Sequence, residues 1–341
     1  MEAILLVGGK GTRLLPLTID TPKPMVKLAG VRFIAHQIAY ARSHGISRIV
    51  VATSYKTEQF LEYLGDGSAF GVEIVHAIEG EPLGTGGAIA NAATYLISGE
   101  RDPITVLNGD VLTAHDISAQ IRQHVSMNCD ATLHLVEVDD ARAYGSVPTD
   151  DKGQIIEFVE KSENPPTNFI NAGCYIFTKS VIDQIPRGRV VSVERETFPE
   201  LLATGGKLWS FKSRDYWIDI GTPAALLKAS QDLLTGVFIS PAFTPQPKKI
   251  YIDPLAEVDP SAVIEEGSAI GRAQVRSGAR IEASIIGDEV VIEAGAQILH
   301  SIIGNRVKVG SGAIIERAII GGDEIVLPPN SRHIGTALGI G

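Results

Sequence analysis

A glycine-rich loop directly follows the first apolar run of the chain. Residues 8–13 read Gly-Gly-Lys-Gly-Thr-Arg. Three glycines let the backbone approach phosphate oxygens closely and point N–H groups at them, while Lys10 and Arg13 add positive charge. The loop lacks the spacing of a Walker motif, and Leu14 stands where a dinucleotide-binding motif has glycine. These residues alone leave two interpretations open, a phosphate-binding loop and a simple tight turn.

A lone lysine, Lys23, lies between Pro22 and Pro24 a few residues further on. Proline fixes its own φ and restricts the residue before it, so this segment has little backbone freedom. Such a segment suits a lysine that is held at a defined place. A solvated lysine is the alternative.

Two aspartates, Asp110 and Asp219, are further candidates for a site. Asp110 ends an Asn-Gly-Asp turn just past an apolar run, and Asp219 lies in the run Trp-Ile-Asp-Ile-Gly at 217–221. Their separation of 109 residues does not pair them by spacing, and each has a structural alternative: a turn-forming aspartate and an acid at a helix N-terminus.

The elements that must position these residues alternate between strands and helices. Apolar runs predict buried strands over 3–7, 48–53, 72–76 and 104–107, and helical patterns cover 33–44 and 86–97. This order predicts βαβ units and a mostly parallel sheet. Ligands bind beyond the carboxyl ends of such strands, so the loops after Val7, after Leu107 and around Trp217 are the first candidates for a site.

The C-terminal part of the chain carries a repeat instead. Isoleucine-glycine pairs place glycine at 271, 287, 304 and 321, at spacings of 16, 17 and 17 residues. Branched aliphatic residues recur about every six positions, which predicts a parallel β-helix of roughly five coils. We therefore expect an α/β domain over 1–240, a linker over 241–255 and a β-helix over 256–341. His300 and His333 leave an acyltransferase activity of the β-helix as an alternative, but a structural or oligomerising role is favoured.

Composition excludes several functional classes. The 341 residues suit two domains, and the net charge of −10 argues against a nucleic-acid-binding protein. Cys129 and Cys174 lie far apart, which favours a reducing compartment. The chain has neither an apolar run long enough to span a membrane nor a start typical of a signal peptide. We therefore expect a cytoplasmic protein without nucleic-acid or membrane partners.

The motifs together resemble the signature of sugar-phosphate nucleotidyltransferases, and the resemblance covers essentially the whole chain. Its first part is the glycine-rich loop with Pro16-Leu17-Thr18 and Lys23-Pro24. The remaining motifs follow in the family's order: Gly84-Thr85-Gly86-Gly87, Asn108-Gly109-Asp110, Tyr144-Gly145, Glu160-Lys161, Asn171-Ala172-Gly173 and Trp217-Ile218-Asp219-Ile220-Gly221. Leu15 and Ser162 depart from the usual pattern, but neither replaces a group that the reaction requires.

The resemblance implies a Rossmann-like nucleotidyltransferase domain followed by a left-handed parallel β-helix of hexapeptide repeats. It also implies transfer of a nucleotidyl group from a triphosphate to a sugar 1-phosphate, with Mg²⁺ held by Asp110 and Asp219. The implied catalytic residues are Arg13, Lys23, Asp110, Lys161 and Asp219. The implied nucleotide-binding residues are Leu6, Gly8, Gly9, Gly11, Thr12, Arg13, Gly84, Thr85 and Asp110. The implied sugar-phosphate-binding residues are Gly145, Glu160, Lys161, Asn171 and Glu194.

Substrate choice is less sharply defined by the motifs. The segment Glu-Pro-Leu-Gly-Thr-Gly-Gly at 81–87 is similar to that of enzymes that use GTP and mannose 1-phosphate. The alternatives are transfer of thymidylyl or uridylyl groups to glucose 1-phosphate, guanylyl transfer to heptose 1-phosphate, and a non-catalytic regulatory homologue. A regulatory homologue is expected to lose Arg13, Asp110 or Asp219, and all three are present. Because β-helices and exposed sheet edges commonly associate, we expect a homo-oligomer.

Overall fold

The computed structural model describes residues 1–246, 248–322 and 324–339. Its contacts define two compact units, residues 1–9 with 40–217 and residues 10–39 with 218–341. Within the described residues the α-helices are α1 (Phe33–Ser43), α2 (Thr57–Leu64), α3 (Gly84–Ala92), α4 (Ile117–Ser126), α5 (Lys179–Ile182), α6 (Phe198–Ala203) and α7 (Pro223–Thr235). Shorter turns of 3₁₀-helix span Thr12–Leu14, Lys23–Met25, Ser68–Phe70 and Ala93–Tyr95, and a π-helical turn spans Val193–Thr197. None of the helices in these three ranges is long and apolar enough to cross a membrane.

The strands before residue 220 form mainly one sheet. They are β1 (Glu2–Leu6), β2 (Lys27–Leu28), β3 (Val31–Arg32), β4 (Arg48–Thr53), β5 (Glu73–Ile78), β6 (Pro103–Asn108), β7 (Val111–Thr113), β8 (Ala131–Glu137), β9 (Gly145–Ser146), β10 (Val159–Glu160), β11 (Phe169–Thr178), β12 (Leu208–Ser213) and β13 (Trp217–Asp219). The sheet of the first unit has the order β10-β9-β11-β6-β1-β4-β5, and β8 pairs with β11 and β12.

The four strands predicted from apolar runs are confirmed and lie next to one another. β5, β4, β1 and β6 are parallel, as the βαβ pattern predicts. β11 was not predicted: it pairs antiparallel with both β6 and β8 and extends the sheet. The predicted helix at 86–97 begins earlier, at Gly84, and its α-helical part ends at Ala92 before a 3₁₀ turn.

The apolar strand segments are buried on both faces of the parallel part, as the consecutive residues Ala3, Ile4 and Leu5 show. Ile4, Val50 and Val106 are fully buried in one cluster with Tyr175 and Phe198. Parallel strands that are buried on both faces consist of consecutive apolar residues, without the alternation of apolar and polar residues seen in half-exposed strands. This is why the strands could be predicted from apolar runs. The rigid core fixes the strand ends from which the candidate loops leave.

The C-terminal repeat forms a parallel β-helix, as predicted. Its strands are β14 (Tyr251–Ile252), β15 (Glu257–Val258), β16 (Val263–Ile264), β17 (Ala269–Ile270), β18 (Gln274–Val275), β19 (Arg280–Glu282), β20 (Ile285–Ile286), β21 (Val291–Ile292), β22 (Gln297–Leu299), β23 (Ile302–Ile303), β24 (Lys308–Val309), β25 (Ile314–Glu316), β26 (Ile319–Ile320), β27 (Val326–Leu327), β28 (Arg332–Ile334) and β29 (Ala337–Leu338). They form three parallel sheets, β14-β17-β20-β23-β26-β29, β15-β18-β21-β24-β27 and β16-β19-β22-β25-β28. One aliphatic side chain per strand enters the core, as in Ile286, Ile303 and Ile320, and the arrangement fits the left-handed β-helix.

The repeated glycines serve coil-to-coil packing. A Cβ at Gly287 would lie 2.8 Å from backbone atoms of Gly304 and Asn305 in the next coil. Positive φ values occur instead at a second glycine series, which includes Gly295 with φ of 68°. The second series therefore uses the conformational freedom of glycine, whereas the isoleucine-glycine pairs mark close approach between coils.

Candidate active site

The ends of β1 and β6 bring two predicted loops to the same edge of the sheet. Leu6 lies opposite Asn108 in the parallel pairing, and the amide of Gly109 donates a hydrogen bond of 2.8 Å to the carbonyl of Leu6. A Cβ at Gly109 would lie 2.3 Å from that carbonyl oxygen, so this turn requires glycine. Gly8 and Asp110 therefore begin their loops from adjacent strand ends, at the edge where parallel sheets bind ligands.

In the second unit, the loop that begins at Lys10 folds back onto Lys23. Gly11 has a φ of 64°, and its carbonyl accepts a 2.9 Å hydrogen bond from the hydroxyl of Thr18. A Cβ at Gly11 would lie 3.0 Å from the Cβ of Lys23. The 3₁₀ turn at Thr12–Leu14 then projects Arg13 to the exposed side of the loop.

Arg13 and Lys23 converge on Asp219 in this unit. The Asp219 carboxylate lies 3.9 Å from Nη2 of Arg13 and 3.7 Å from Nζ of Lys23. The side chain of Lys23 is 9% exposed, whereas that of Arg13 is 66% exposed. Two cations beside one carboxylate form a site where an incoming phosphate group could be neutralised and a metal ion could be held.

The predicted base-binding segment is tied to the turn that carries Glu194, within the first unit. Gly84 begins α3 with a φ of 70°, and a Cβ there would lie 2.6 Å from the carbonyl oxygen of Val191. The hydroxyl of Thr85 donates a 2.8 Å hydrogen bond to the Glu194 carboxylate and accepts one of 2.9 Å from the amide of Val193. Glu194, expected on the sugar side, thus contacts the predicted base-binding segment directly.

Two further residues support this segment and were not predicted. Glu79 is buried and accepts a 3.0 Å hydrogen bond from the amide of Leu83, and burial raises the pKa of its carboxyl group. Ser192 donates a 2.8 Å hydrogen bond to Glu194. Glu79 directly follows β5, so the rule that ligands bind at strand ends could have identified it.

The first unit also places Gly145, Glu160 and Lys161 together. Glu160 of β10 lies opposite Gly145 of β9. A Cβ at Gly145 would lie 2.9 Å from Oε2 of Glu160, so the glycine leaves room for this carboxylate. Lys161 has a φ of 38°, donates its amide to the carbonyl of Tyr144 and exposes its side chain.

Asn171 lies at an irregularity of β11 and is fixed by its neighbours. Its amide nitrogen donates a 2.8 Å hydrogen bond to the hydroxyl of Tyr175, and its oxygen accepts one of 3.1 Å from the amide of Gly173. Burial raises the pKa of Tyr175 well above its ordinary value, so the phenol stays protonated. An asparagine has two donors and two lone pairs, so it retains capacity for a ligand hydroxyl.

Two family models match the chain, one before and one after residue 240. The family described as "Nucleotidyl transferase" matches residues 2–236, and the "GMPPB C-terminal domain" matches residues 247–332. The first match alone spans more than half of the chain.

Several known proteins are similar over most of their length. A mannose-1-phosphate guanylyltransferase of Mycobacterium tuberculosis is 45% identical over 85% of this chain and 80% of the relative. Mannose-1-phosphate guanylyltransferase 1 of Arabidopsis thaliana is 35% identical over 86% of this chain and 76% of the relative.

Similar solved structures include HddC from Yersinia pseudotuberculosis. It is 33% identical, with a TM-score of 0.59, and the match covers 68% of this chain and 98% of HddC. HddC has also been crystallised with GMP-PN, and that structure matches with a TM-score of 0.58. With the fold, the ordered motifs and these relatives in agreement, the chain belongs to the sugar-phosphate nucleotidyltransferase family.

Proposed function

We propose that the protein transfers GMP from GTP to mannose 1-phosphate, forming GDP-mannose and pyrophosphate. The observation that carries this proposal is the convergence of Arg13 and Lys23 on Asp219. Two cations held at one carboxylate suit a polyanionic substrate, because they neutralise charge where the triphosphate and the leaving pyrophosphate carry it.

The choice of substrates follows from the relatives. The proteins that match at 45% and 35% identity are both named mannose-1-phosphate guanylyltransferases. They favour GTP and mannose 1-phosphate over the thymidylyl, uridylyl and heptose alternatives. Arg13, Asp110 and Asp219 favour an enzyme over a regulatory homologue.

The reaction requires positioning more than covalent work by the protein. An oxygen of the sugar 1-phosphate attacks the α-phosphorus of GTP in line. The bond between the α-phosphorus and the oxygen that bridges the α- and β-phosphates breaks, and pyrophosphate leaves with that oxygen. Arg13 and Lys23 bind the triphosphate, and Lys161 binds the phosphate of the sugar. The glycine-rich loop is shaped so that its backbone amides reach phosphate oxygens. The residues that shape it are Leu6, Gly8, Gly9, Gly11 and Thr12.

Recognition of the base and the sugar is divided between two groups of residues. Gly84 and Thr85 meet the base through their backbone, since the hydroxyl of Thr85 is already bonded to Glu194 and Val193. Glu160 and Asn171 bond the sugar hydroxyls, and Gly145 permits close approach. Because Glu194 contacts Thr85, we propose that it couples the base segment to the sugar side.

A metal ion completes the proposed site. Nucleotidyltransferases of this family generally use a divalent metal ion, and we propose Mg²⁺ held by Asp110 and Asp219. Among the described residues, no three His, Cys, Asp or Glu side chains are grouped as metal ligands. The two carboxylates of Asp110 and Asp219 fit Mg²⁺, because proteins hold this ion by one or two carboxylates together with substrate phosphates and water. When bound, the ion neutralises charge on the phosphate oxygens.

Pyrophosphate release from a substrate panel tests the proposal. The purified protein is given Mg²⁺, each of the four triphosphates in turn and several sugar 1-phosphates. We expect the highest kcat/KM with GTP and mannose 1-phosphate. A preference for dTTP or UTP with glucose 1-phosphate would refute the substrates while keeping the reaction, and no release with any pair would refute the enzyme.

The setting of the enzyme is also part of the proposal. We propose that residues 1–240 form the catalytic domain, 241–255 a linker and 256–341 the β-helix domain, and that the protein is a cytoplasmic homo-oligomer. Cys129 and Cys174 are buried free thiols, which supports a reducing compartment. Size-exclusion chromatography with light scattering measures the oligomeric state, and a monomer would contradict this part.

A further inference from the structure

One outer face of the β-helix is apolar and yet buried. Along a strand, successive side chains point to opposite faces, so Ile285 and Ile302 point away from the core that Ile286 and Ile303 fill. Nevertheless Ile285 is only 8% exposed and Ile302 only 4%. Residues outside the strands of this sheet therefore cover these two side chains.

The segment that follows the glycine-rich loop lies against Gly304 and Gly321, which directly follow two strands of this sheet. The Cβ position of Gly304 is 3.5 Å from a methyl group of Leu17, and that of Gly321 is 3.4 Å from both Leu17 and Pro16. These are ordinary van der Waals distances. Pro16 and Leu17 belong to the signature motif, so part of that motif packs on the glycine stripe of the β-helix.

Two ion pairs anchor the same segment on either side of Lys23. The ammonium of Lys27 lies 2.8 Å from both carboxylate oxygens of Asp288. Nη2 of Arg306 lies 3.2 Å from Oδ2 of Asp20. Asp20 precedes Lys23 by three residues and Lys27 follows it by four. The anchors therefore bracket the lysine.

Asp288 is built to hold Lys27. It also accepts hydrogen bonds from the backbone amide and the guanidinium of Arg272. Burial alone would raise its pKa, yet the pKa of Asp288 lies below its ordinary value because of these donors and Lys27. The carboxylate stays ionised in the neutral range and keeps the ion pair formed.

The segment from residue 10 to residue 32, which contains Lys23, depends on such anchors because it has little regular structure of its own. Between residues 10 and 32 it contains two 3₁₀ turns and the two-residue strands β2 and β3. Short turns supply few backbone hydrogen bonds, so contacts with neighbouring elements decide how firmly the segment is held. Lys23 must nevertheless keep its ammonium 3.7 Å from Asp219.

We infer that the β-helix positions Lys23 for the triphosphate through the pairs Lys27–Asp288 and Asp20–Arg306. These four are positioning residues, which act through Lys23 and do not themselves contact the substrate. Because we assign Lys23 to the triphosphate, the inference rests on the proposed function. A β-helix that served only association or stability would not affect triphosphate binding.

Kinetics of full-length variants test this inference. We expect Lys27→Met to raise KM for GTP or lower kcat about tenfold, since even a 1 Å misplacement can cost ~100-fold in rate. KM for mannose 1-phosphate should change little, and Lys27→Arg should restore activity. Arg280→Met is the matched control, because Arg280 pairs with Glu265 at 2.7 Å on another sheet of the β-helix.

Hydrogen–deuterium exchange of amides 10–26 gives a readout independent of turnover. We expect faster exchange there in Lys27→Met than in the wild type or in Arg280→Met. Unchanged exchange, or faster exchange with unchanged kinetics, would overturn the inference. If Lys27→Met does not fold, Asp20→Asn, which is isosteric, decides by the same comparison.

The two proposals fail in different ways. Absence of turnover by the wild type with every substrate pair would refute the proposed function. An active wild type whose Lys27→Met and Asp20→Asn variants keep the same kcat and KM would refute only the positioning role.

Discussion

Gly221 provides the space in which the guanidinium of Arg13 lies, so Gly221→Ala should displace this group without unfolding the protein. The added Cβ would lie 2.8 Å from Nη2 of Arg13 and 2.9 Å from Cζ and Nη1. Ordinary contact begins near 3.4 Å, so the guanidinium must move by roughly 0.5 Å. Gly221 is absent from the residues with positive φ, so alanine fits the backbone there. The flexible end of Arg13 can move while the backbone stays in place.

The expected loss of activity is a fraction of what removal of Arg13 would cause. Loss of one group that stabilises developing charge costs ~100- to 1,000-fold in kcat, or about 3 to 4 kcal/mol. Since Gly221→Ala moves the guanidinium but keeps its charge, we expect a loss of about tenfold in kcat/KM, with a change in stability below ~0.5 kcal/mol. Steady-state pyrophosphate release and thermal unfolding measure the two quantities.

Gly99→Ala is the matched control for this experiment. Its Cβ would make only an ordinary contact, 3.5 Å from Oδ2 of Asp102, and we place Gly99 outside the site. We expect wild-type kinetics for this variant. Full activity of Gly221→Ala would refute the importance of the observed Arg13 position, and full activity of Arg13→Ala would refute the role of the side chain altogether.

Four further predictions follow from individual residues. Asp110→Asn should abolish pyrophosphate release while the thermal midpoint stays unchanged, and near-normal activity would contradict its role as a metal ligand. Burial lowers the pKa of His36 from 6.5 to about 4. As the pH falls, the unfolded chain therefore binds this proton at a higher pH than the folded chain does. Stability should fall by about 3 kcal/mol from this residue as pH drops from 6.5 to 4, and urea unfolding of His36→Gln should be less dependent on pH over that range. Glu194→Gln should raise KM for GTP, because the 2.8 Å hydrogen bond from Thr85 loses its charged acceptor, and an unchanged KM would separate Glu194 from the base segment. Gly287→Ala should destabilise the protein by ~1 to 3 kcal/mol in urea unfolding, because the backbone of the next coil is in the way, and an unchanged midpoint would contradict close packing as the reason for this glycine.

Local sequence patterns predicted the parallel strands and the β-helix because both depend on short repeating signals. The apolar run at 104–107 is buried on both faces of the sheet, and each strand of the β-helix repeats one inward aliphatic side chain. β11 was not predicted, although it is longer than the four strands that were. Its apolar run is interrupted at Asn171 and Gly173, where the strand pairing is irregular and the side chains bond to one another.

The candidate site was harder to predict because its parts meet only through tertiary structure. The prolines around Lys23 indicated a fixed lysine, but nothing in those residues indicates that Asp219, 196 positions later, lies 3.7 Å away. Resemblance to a family supplied the residues, while the structure supplies what holds them: Gly221 for Arg13, Ser192 and Thr85 for Glu194, and the β-helix for the segment around Lys23. These supporting contacts depend on the space that a glycine leaves and on single hydrogen bonds. Neither produces a periodic pattern in a sequence. A chain could therefore keep every signature residue and still lose activity by changing Lys27.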